Sequence, residues 1–241
     1  MLRLFQLPRA WGIANISPPC AKLEAWLRLC KIPYDIGPLD LSAAPKGKLP
    51  YVQDDSETMG DATLLIDTLK ARYQVDPDAQ LTPEQRAIGV AFRRMLKEDF
   101  YWAVVYFRWR LAGNFAVMER TFVEFLPQEL PMAARLQFVE GVKANLLAQL
   151  QQQGMGRHTP HEVASLGIAD LQAVADFLND KPYFFGQEPT SIDATVFAAL
   201  TNVIDAPIAS PLKVFAAAQP NLVAYTRRLE QQLFPELAAA R

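Results

Sequence analysis

No stretch of 18 consecutive apolar residues occurs anywhere in the 241-residue sequence, so no segment has the make-up of a bilayer-crossing helix. The nearest approach, Val196 to Ala218, is broken by Asp205, Pro207, Pro211 and Lys213. Charge of one sign is equally scarce: 24 Lys and Arg stand against 26 Asp and Glu, and no basic block stands out. That balance argues against a nucleic-acid-binding surface. The two cysteines, Cys20 and Cys30, are too few for a disulfide framework and lack zinc spacing. The two histidines, His158 and His161, flank a helix start beside Glu162 without the further ligands a metal needs, so they read as surface residues and no metal is expected. A Walker lysine is missing, since Gly47-Lys48 is followed by Leu49, and so is a dinucleotide fingerprint. The opening MLRLFQLPRAWG has neither the apolar core nor the small-residue cleavage site of a secretion signal. A reducing, cytoplasmic setting is the expectation.

What the sequence does have is apolar content, 51%, and 18 prolines, many of them where a helix should begin. Leu2 to Leu7 has strand character. Ser17 to Cys30 has helical periodicity, with Leu23, Trp26, Leu27 and Cys30 on one face. Tyr34 to Leu39 is a second strand candidate. Residues 49–53 and 57–59 read as a hairpin around the Asp54-Asp55-Ser56 turn, and Asp61 to Tyr73 as a helix. After a polar linker at 74–80, everything reads as helix. Thr82-Pro83-Glu84-Gln85 is a capping box that starts a long helix expected to reach Ala112 and end at Gly113. Thr159-Pro160-His161-Glu162 repeats the device, and Thr190-Ser191-Ile192-Asp193 is a third cap, its hydroxyl expected to meet the Asp193 N–H. These signals divide the chain into a small α/β domain at 1–76 and an all-α domain at 82–241.

Three short pieces could carry chemistry. Ser17 before Pro18 and Pro19 sits where a helix N-terminus favours an anion, and a hydroxyl there could donate to a thiolate. The same residues also make an ordinary helix start. Lys48-Leu49-Pro50 opens a strand; a cis Pro50 would let Leu49 pair with an extended peptide and Lys48 meet a carboxylate, whereas a surface turn explains the pattern equally well. Asp61-Ala62-Thr63 opens a helix, where Asp61 could pair with an ammonium and the N–H groups with a carboxylate, or Asp61 could simply cap.

Taken in order and with their spacing, these pieces resemble the glutathione-binding domain of the glutathione-transferase superfamily. Gly186, Thr190 and Asp193 match that superfamily's G-x-x-x-[ST]-x-x-D capping motif, so the resemblance spans essentially the whole chain. SPPCAKLEAWLRL, FFGQEPTSIDATVF and the aromatic residues 100–109 are similar to the branch that holds failed-axon-connections proteins and, more remotely, metaxins. The resemblance implies an α/β thioredoxin-like N-terminal domain joined to an all-α C-terminal domain, and a likely homodimer by family habit. It implies glutathione as co-substrate: Ser17 hydrogen-bonding the thiolate, Leu49 before cis Pro50 holding the cysteinyl backbone, Lys48 the glycyl carboxylate, and Asp61 with Ala62 the γ-glutamyl end. The superfamily usually has Ser where this chain has Ala62, and the loop from Leu7 to Ser17 is longer than in common transferases.

In that superfamily the first long helix of the second domain lines the electrophile pocket. Asp99, Trp102, Ala103, Tyr106, Trp109 and Arg110 recur at spacings of three to four and share a stripe. Trp102, Tyr106 and Trp109, with Trp11 from the long loop, are the expected pocket walls, though domain or dimer packing would use the same stripe. Cys20 takes the place of the second cysteine of a thioredoxin pair whose first is Ser17, which argues against disulfide exchange. The expected function is activation of the glutathione thiol for attack on a small hydrophobic electrophile. The alternatives are a transferase-fold interaction protein without turnover, or glutathione-dependent peroxide reduction.

Overall fold

The computed structural model describes residues 1–55 and 57–239. Four strands, β1 (Leu2–Phe5), β2 (Tyr34–Ile36), β3 (Tyr51–Asp54) and β4 (Glu57–Gly60), make one mixed sheet in the order β2-β1-β3-β4. β1 runs parallel to β2 and antiparallel to β3, which pairs antiparallel with β4. The first two strands are shorter than the sequence pattern suggests. Pro8 and Pro38 follow close behind their ends, and proline cannot donate to a ladder. Ser56 of the expected turn lies outside the described residues. Helices α1 (Pro18–Leu29) and α2 (Ala62–Tyr73) complete this part.

From Pro83 onward the described chain is helical: α3 (Pro83–Arg94), a π-helical segment (Met95–Phe100), α4 (Tyr101–Trp109), α5 (Ala112–Phe125) and α6 (Met132–Gln153), then a 3-10 turn (Met155–Arg157). There follow α7 (Pro160–Leu178), α8 (Ser191–Ile204), α9 (Pro211–Ala217), α10 (Pro220–Leu233) and α11 (Pro235–Ala238). The single helix expected from Thr82 to Ala112 is therefore corrected in two ways. A π-helical turn interrupts it, and it stops at Trp109, so that Gly113 lies in the first turn of α5 rather than after a helix end.

The caps follow the sequence. Thr82 and Gln85 exchange hydrogen bonds of 3.1 and 2.9 Å, and Thr159 and Glu162 do the same at 3.3 and 2.8 Å. At α8 the bonds run differently from the expectation. The Thr190 hydroxyl donates to the Asp193 carboxylate at 2.8 Å, and the Thr190 N–H donates to the same oxygen at 2.7 Å. The other Asp193 oxygen accepts from the Phe184 N–H at 2.8 Å and the Tyr225 hydroxyl at 2.7 Å. One buried carboxylate thus ties the approach loop, α8 and α10 together. Burial pushes its carboxyl up, and these four hydrogen bonds oppose the push.

α1 and α8 pack against each other and form the joint between the two parts. Every residue of α1 from Cys20 to Leu27 is buried, and so is every residue of α8 from Ile192 to Ile204. Trp26 Nε1 donates to Ser191 Oγ at 3.0 Å, and the Ser191 N–H donates to Asp78 Oδ1 at 2.7 Å, so α8 starts against both α1 and the linker. Elsewhere α7 crosses α4 closely at Gly167, where an added Cβ would come within 2.7 Å of Leu212 and 3.2 Å of Ala103. One turn further along α7, Asp170 meets Asp99 of the π-helical segment. Burial and then the Asp99 charge push the Asp170 carboxyl up to about 7.

Replacing Asp193 by Ala leaves buried donors without an acceptor. We expect a loss of about 3–5 kcal/mol in chemical denaturation, with Asp193→Asn falling between Ala and wild type. Asp170 has a folded pKa above its unfolded value, so its carboxyl is harmless at low pH and costs stability as pH rises toward 7 and beyond. Asp170→Asn is expected to gain stability over wild type between pH 4 and pH 8. Equal denaturation midpoints across that range would remove the Asp99–Asp170 repulsion from the account.

Candidate functional site

The sheet register gathers the three sequence pieces at one end. β1 ends at Phe5, which pairs with Tyr51 at the start of β3, and Tyr51 pairs with Gly60 at the end of β4. The Phe5 and Tyr51 rings stack at 4.4 Å. Pro50, which is cis and buried, therefore stands beside the chain leaving β1 and beside the residues that open α2. The loop from β1 returns to the start of α1 at the same end, as a crossover between parallel strands requires. Lys48 is exposed and Leu49 half-buried next to Pro50.

Ser17 holds the N-cap position of α1 in extended conformation, yet its side chain makes no cap bond. The reason is local. An N-cap oxygen accepts from the second or third helical N–H, and Pro19 at the second position has none. The Ser17 hydroxyl turns instead to the Cys20 thiol, and its own N–H is taken by Asn15 Oδ1 at 3.0 Å. Cys20 is fully buried, as expected. Burial pushes its thiol up to about 11 against hydrogen bonds from the Ser17 hydroxyl and the Leu7 backbone. Cys20 is therefore an inert thiol, and the reactive sulfur has to come from a ligand.

The loop before Ser17 is held by the helical part. Arg108 of α4 donates to the Ile16 carbonyl at 2.6 Å and to the Asn202 carbonyl and side chain of α8 at 2.9 and 2.8 Å. Asn202 in turn donates to the Asn15 carbonyl at 3.0 Å. Trp11 donates to Thr121 Oγ1 of α5 at 3.0 Å, and its ring lies 5.3 Å from the Arg108 guanidinium carbon. Arg108 is buried with no carboxylate partner among the described residues, and burial pushes its guanidinium down to about 10. Tyr101, one stripe neighbour of Arg108, also faces this region; its phenol is pushed up by burial, with Arg108 and Cys20 as the nearby charges.

This corrects the pocket stripe. Tyr106 is 1% exposed and reaches the His158 carbonyl at 3.4 Å, while Trp109 is 4% exposed and packs on Phe115 and Phe122. Both are interior packing residues of the helical part. Trp102 is half-buried, its ring edge-on to Tyr101 at 5.3 Å. The residues that α4 turns toward the Ser17 loop are Tyr101 and Arg108. Sequence periodicity missed them because both stripes of α4 are largely apolar.

At the start of α2, Asp61 has φ 75°, a left-handed conformation that non-glycine residues adopt at a cost. Its Oδ1 accepts from the Thr63 N–H at 2.9 Å and the Leu64 N–H at 3.3 Å. Burial would push the carboxyl up, but those N–H groups and Lys97, 3.5 Å away, hold it below the usual carboxylate range. Ala62 beside it is buried and offers only backbone. A cleft of about 540 Å³ lies elsewhere, lined by Leu29, Cys30, Val75, Pro77, Tyr183 and Pro189. It opens at the C-terminal end of α1, a helix length of about 18 Å from Ser17, and takes no part in this site. Among the described residues no group of three or more His, Cys, Asp or Glu could hold a metal ion, and no helix is long and apolar enough to cross a membrane.

With this geometry in place, comparisons with known proteins agree on one family. Residues 18–115 match the family model for the glutathione S-transferase N-terminal domain, and residues 167–229 that for the glutathione S-transferase C-terminal domain. An isoprene-epoxide–glutathione S-transferase of Rhodococcus sp. (strain AD45) is 31% identical over 239 residues, covering 96% of this chain and 99% of that protein. Failed axon connections of Drosophila melanogaster is 28% identical over 98% of this chain, which spans only 59% of that protein's length. Metaxin-2 of Mus musculus is 24% identical over 91% of this chain and 83% of its own. Among solved structures, a beta-etherase of Sphingobium sp. strain SYK-6 superposes with a TM-score of 0.68 at 14% identity, over 100% of this chain and 99% of that one. Sheet, helices, caps and relatives converge, and the chain belongs to the glutathione S-transferase family.

Proposed function

We propose that this protein is a glutathione transferase in which Ser17 activates the thiol of bound glutathione for attack on a small hydrophobic electrophile. The observation that carries the reading is the Ser17 hydroxyl. The Pro18-Pro19 pair leaves it with little to cap at the head of a helix, and no first cysteine competes for the position. A thiolate placed there meets the positive end of α1 and one hydroxyl donor, both of which favour its charged form. The buried, unpaired Arg108 adds positive charge behind the same loop.

In this reading the glutathione peptide lies along the residues before β3, with Leu49 offering backbone beside Pro50 and Lys48 meeting the glycyl carboxylate. Asp61 and the backbone of Ala62 hold the γ-glutamyl end. The electrophile sits against Trp11, Tyr101 and Trp102. The relative from Rhodococcus is named for an epoxide substrate, and a small epoxide suits such a wall. The sulfur–carbon bond forms as the ring carbon–oxygen bond breaks. The thiol proton leaves to solvent on binding, and the product alkoxide takes a proton back. Binding energy and pKa tuning, rather than a protein nucleophile, lower the barrier.

A second reading, binding without turnover, is favoured by Ala62, which removes a side-chain donor from the γ-glutamyl end. One experiment separates them. Thiol consumption with a panel of small epoxides is measured for wild type and Ser17→Ala, alongside calorimetric titration with glutathione. The transferase reading expects Ser17→Ala to lower kcat/KM 10- to 1000-fold and to move the pH–rate profile upward by one or more units, at unchanged melting temperature. Unaltered activity in Ser17→Ala would sink the assignment. Glutathione binding with no turnover on any electrophile would establish the second reading. Trp102→Ala is expected to raise KM for the electrophile several-fold while leaving glutathione affinity within about twofold; an effect on glutathione alone would move Trp102 out of the pocket.

A further inference from the structure

Three cations from three elements meet where α2 begins. Lys22 comes from the second turn of α1, Arg93 from the end of α3 and Lys97 from the π-helical segment. Lys22 is 7% exposed, and its Nζ donates to Thr63 Oγ1 in the first turn of α2 at 3.0 Å. Among the described residues no carboxylate forms an ion pair with Lys22 or with Arg93. Lys97 pairs with Asp61 at 3.5 Å and with Glu98 at 3.6 Å. The other charged group facing Lys22 is Asp67 of α2, acting only at a distance.

A buried ammonium without a counter-ion is costly, and three donors with one acceptor between them leave it half satisfied. Asp61 does not supply the missing charge. Its Oδ1 is committed to the N–H groups of Thr63 and Leu64, and its pairing is to Lys97. Nor does Asp61 take the Ala62 N–H, which remains at the positive end of α2. An anion arriving at this point meets Lys22, the Thr63 hydroxyl and the head of a 12-residue helix together.

We propose that Lys22 is the counter-cation for the α-carboxylate at the γ-glutamyl end of the thiol ligand, supplying the recognition that Ala62 lacks. The proposal rests on the glutathione reading above and deepens it by naming a specificity residue on α1. It has a protonic consequence. Burial, with Arg93 and Lys97, pushes the free Lys22 ammonium down to about 7, while Asp61 and Asp67 oppose the shift. At pH 8 the empty site therefore holds mostly neutral amine. A carboxylate beside it restores the ammonium, and the proton comes from the buffer.

The test is calorimetric titration of the full chain with S-methylglutathione at pH 8 in phosphate and in Tris, whose ionisation enthalpies differ. The thioether has no thiol proton, so the thiol contributes nothing to the buffer dependence. Uptake of close to one proton per ligand bound is the expected result. Lys22→Met is expected to abolish the uptake and weaken binding 10- to 100-fold. Lys22→Arg is expected to keep most of the affinity while also abolishing the uptake, because its charge does not titrate. A merely structural lysine moves neither proton count. Binding without proton uptake in wild type overturns the proposal and leaves the glutathione reading standing, and this arm decides even if Lys22→Met does not fold. No heat and no thermal stabilisation at ten millimolar ligand overturns both.

Discussion

Helix α1 is enclosed on every side, and that enclosure sets the terms for the rest of the molecule. Packed between the sheet and α8, it can expose only its ends, so its first residues become the one part of it a ligand can reach. Charges carried on such a helix must find partners inside the protein or wait for one. Glu24 finds them: Gln6 at 2.7 Å, Arg9 at 2.5 Å, the Tyr34 hydroxyl at 2.7 Å and Arg28 at 3.4 Å. Arg9 and Arg28 both lie over the Phe234 ring and reach Glu236, which brings the C-terminal α11 onto the base of α1. Lys22, two residues away on the same helix, faces the opposite end and finds only a hydroxyl. The contrast between these two buried charges separates what α1 contributes to folding from what it contributes to a site.

The second consequence concerns ownership of the site. Ser17 belongs by sequence to the α/β part, but the loop that carries it is held by Arg108 of α4, Asn202 of α8 and Thr121 of α5. Arg108 sits without a counter-charge, so each of its hydrogen bonds to the loop and to Asn202 is charge-assisted and strong, and losing one partner leaves a buried group unsatisfied. The geometry at Ser17 is therefore a product of both halves of the chain. A small α/β unit alone would keep the residues and lose their placement.

Much of the fold was legible because its signals are local. The capping boxes at Thr82 and Thr159, the proline pair after Ser17, and the Thr190–Asp193 cap each declare themselves within four residues, and the structure contains all of them. The cis bond before Pro50 was also foreseen, from its place in the pattern. What escaped was rotation and depth. Tyr101-Val105-Arg108 and Trp102-Tyr106-Trp109 are both helical stripes, and only packing against the Ser17 loop distinguishes them. The more aromatic stripe turned out to be core. Lys22 escaped for the opposite reason: a lysine in an amphipathic pattern reads as solvated, and nothing within the sequence shows that α8 covers it.

The π-helical segment Met95–Phe100 fixes which face of α4 looks at Ser17. Such a segment accommodates one more residue per turn than an α-helix, and each residue advances the helix by about 100°. Loss of a single codon there would let the helix run straight and turn α4 by that angle, carrying Arg108 off the loop and another stripe toward it. A lineage could thus exchange the wall its electrophile meets in one deletion, with no change to any residue of that wall. The segment is an indel-sized dial on substrate range, set into a helix whose ends are held by everything around it.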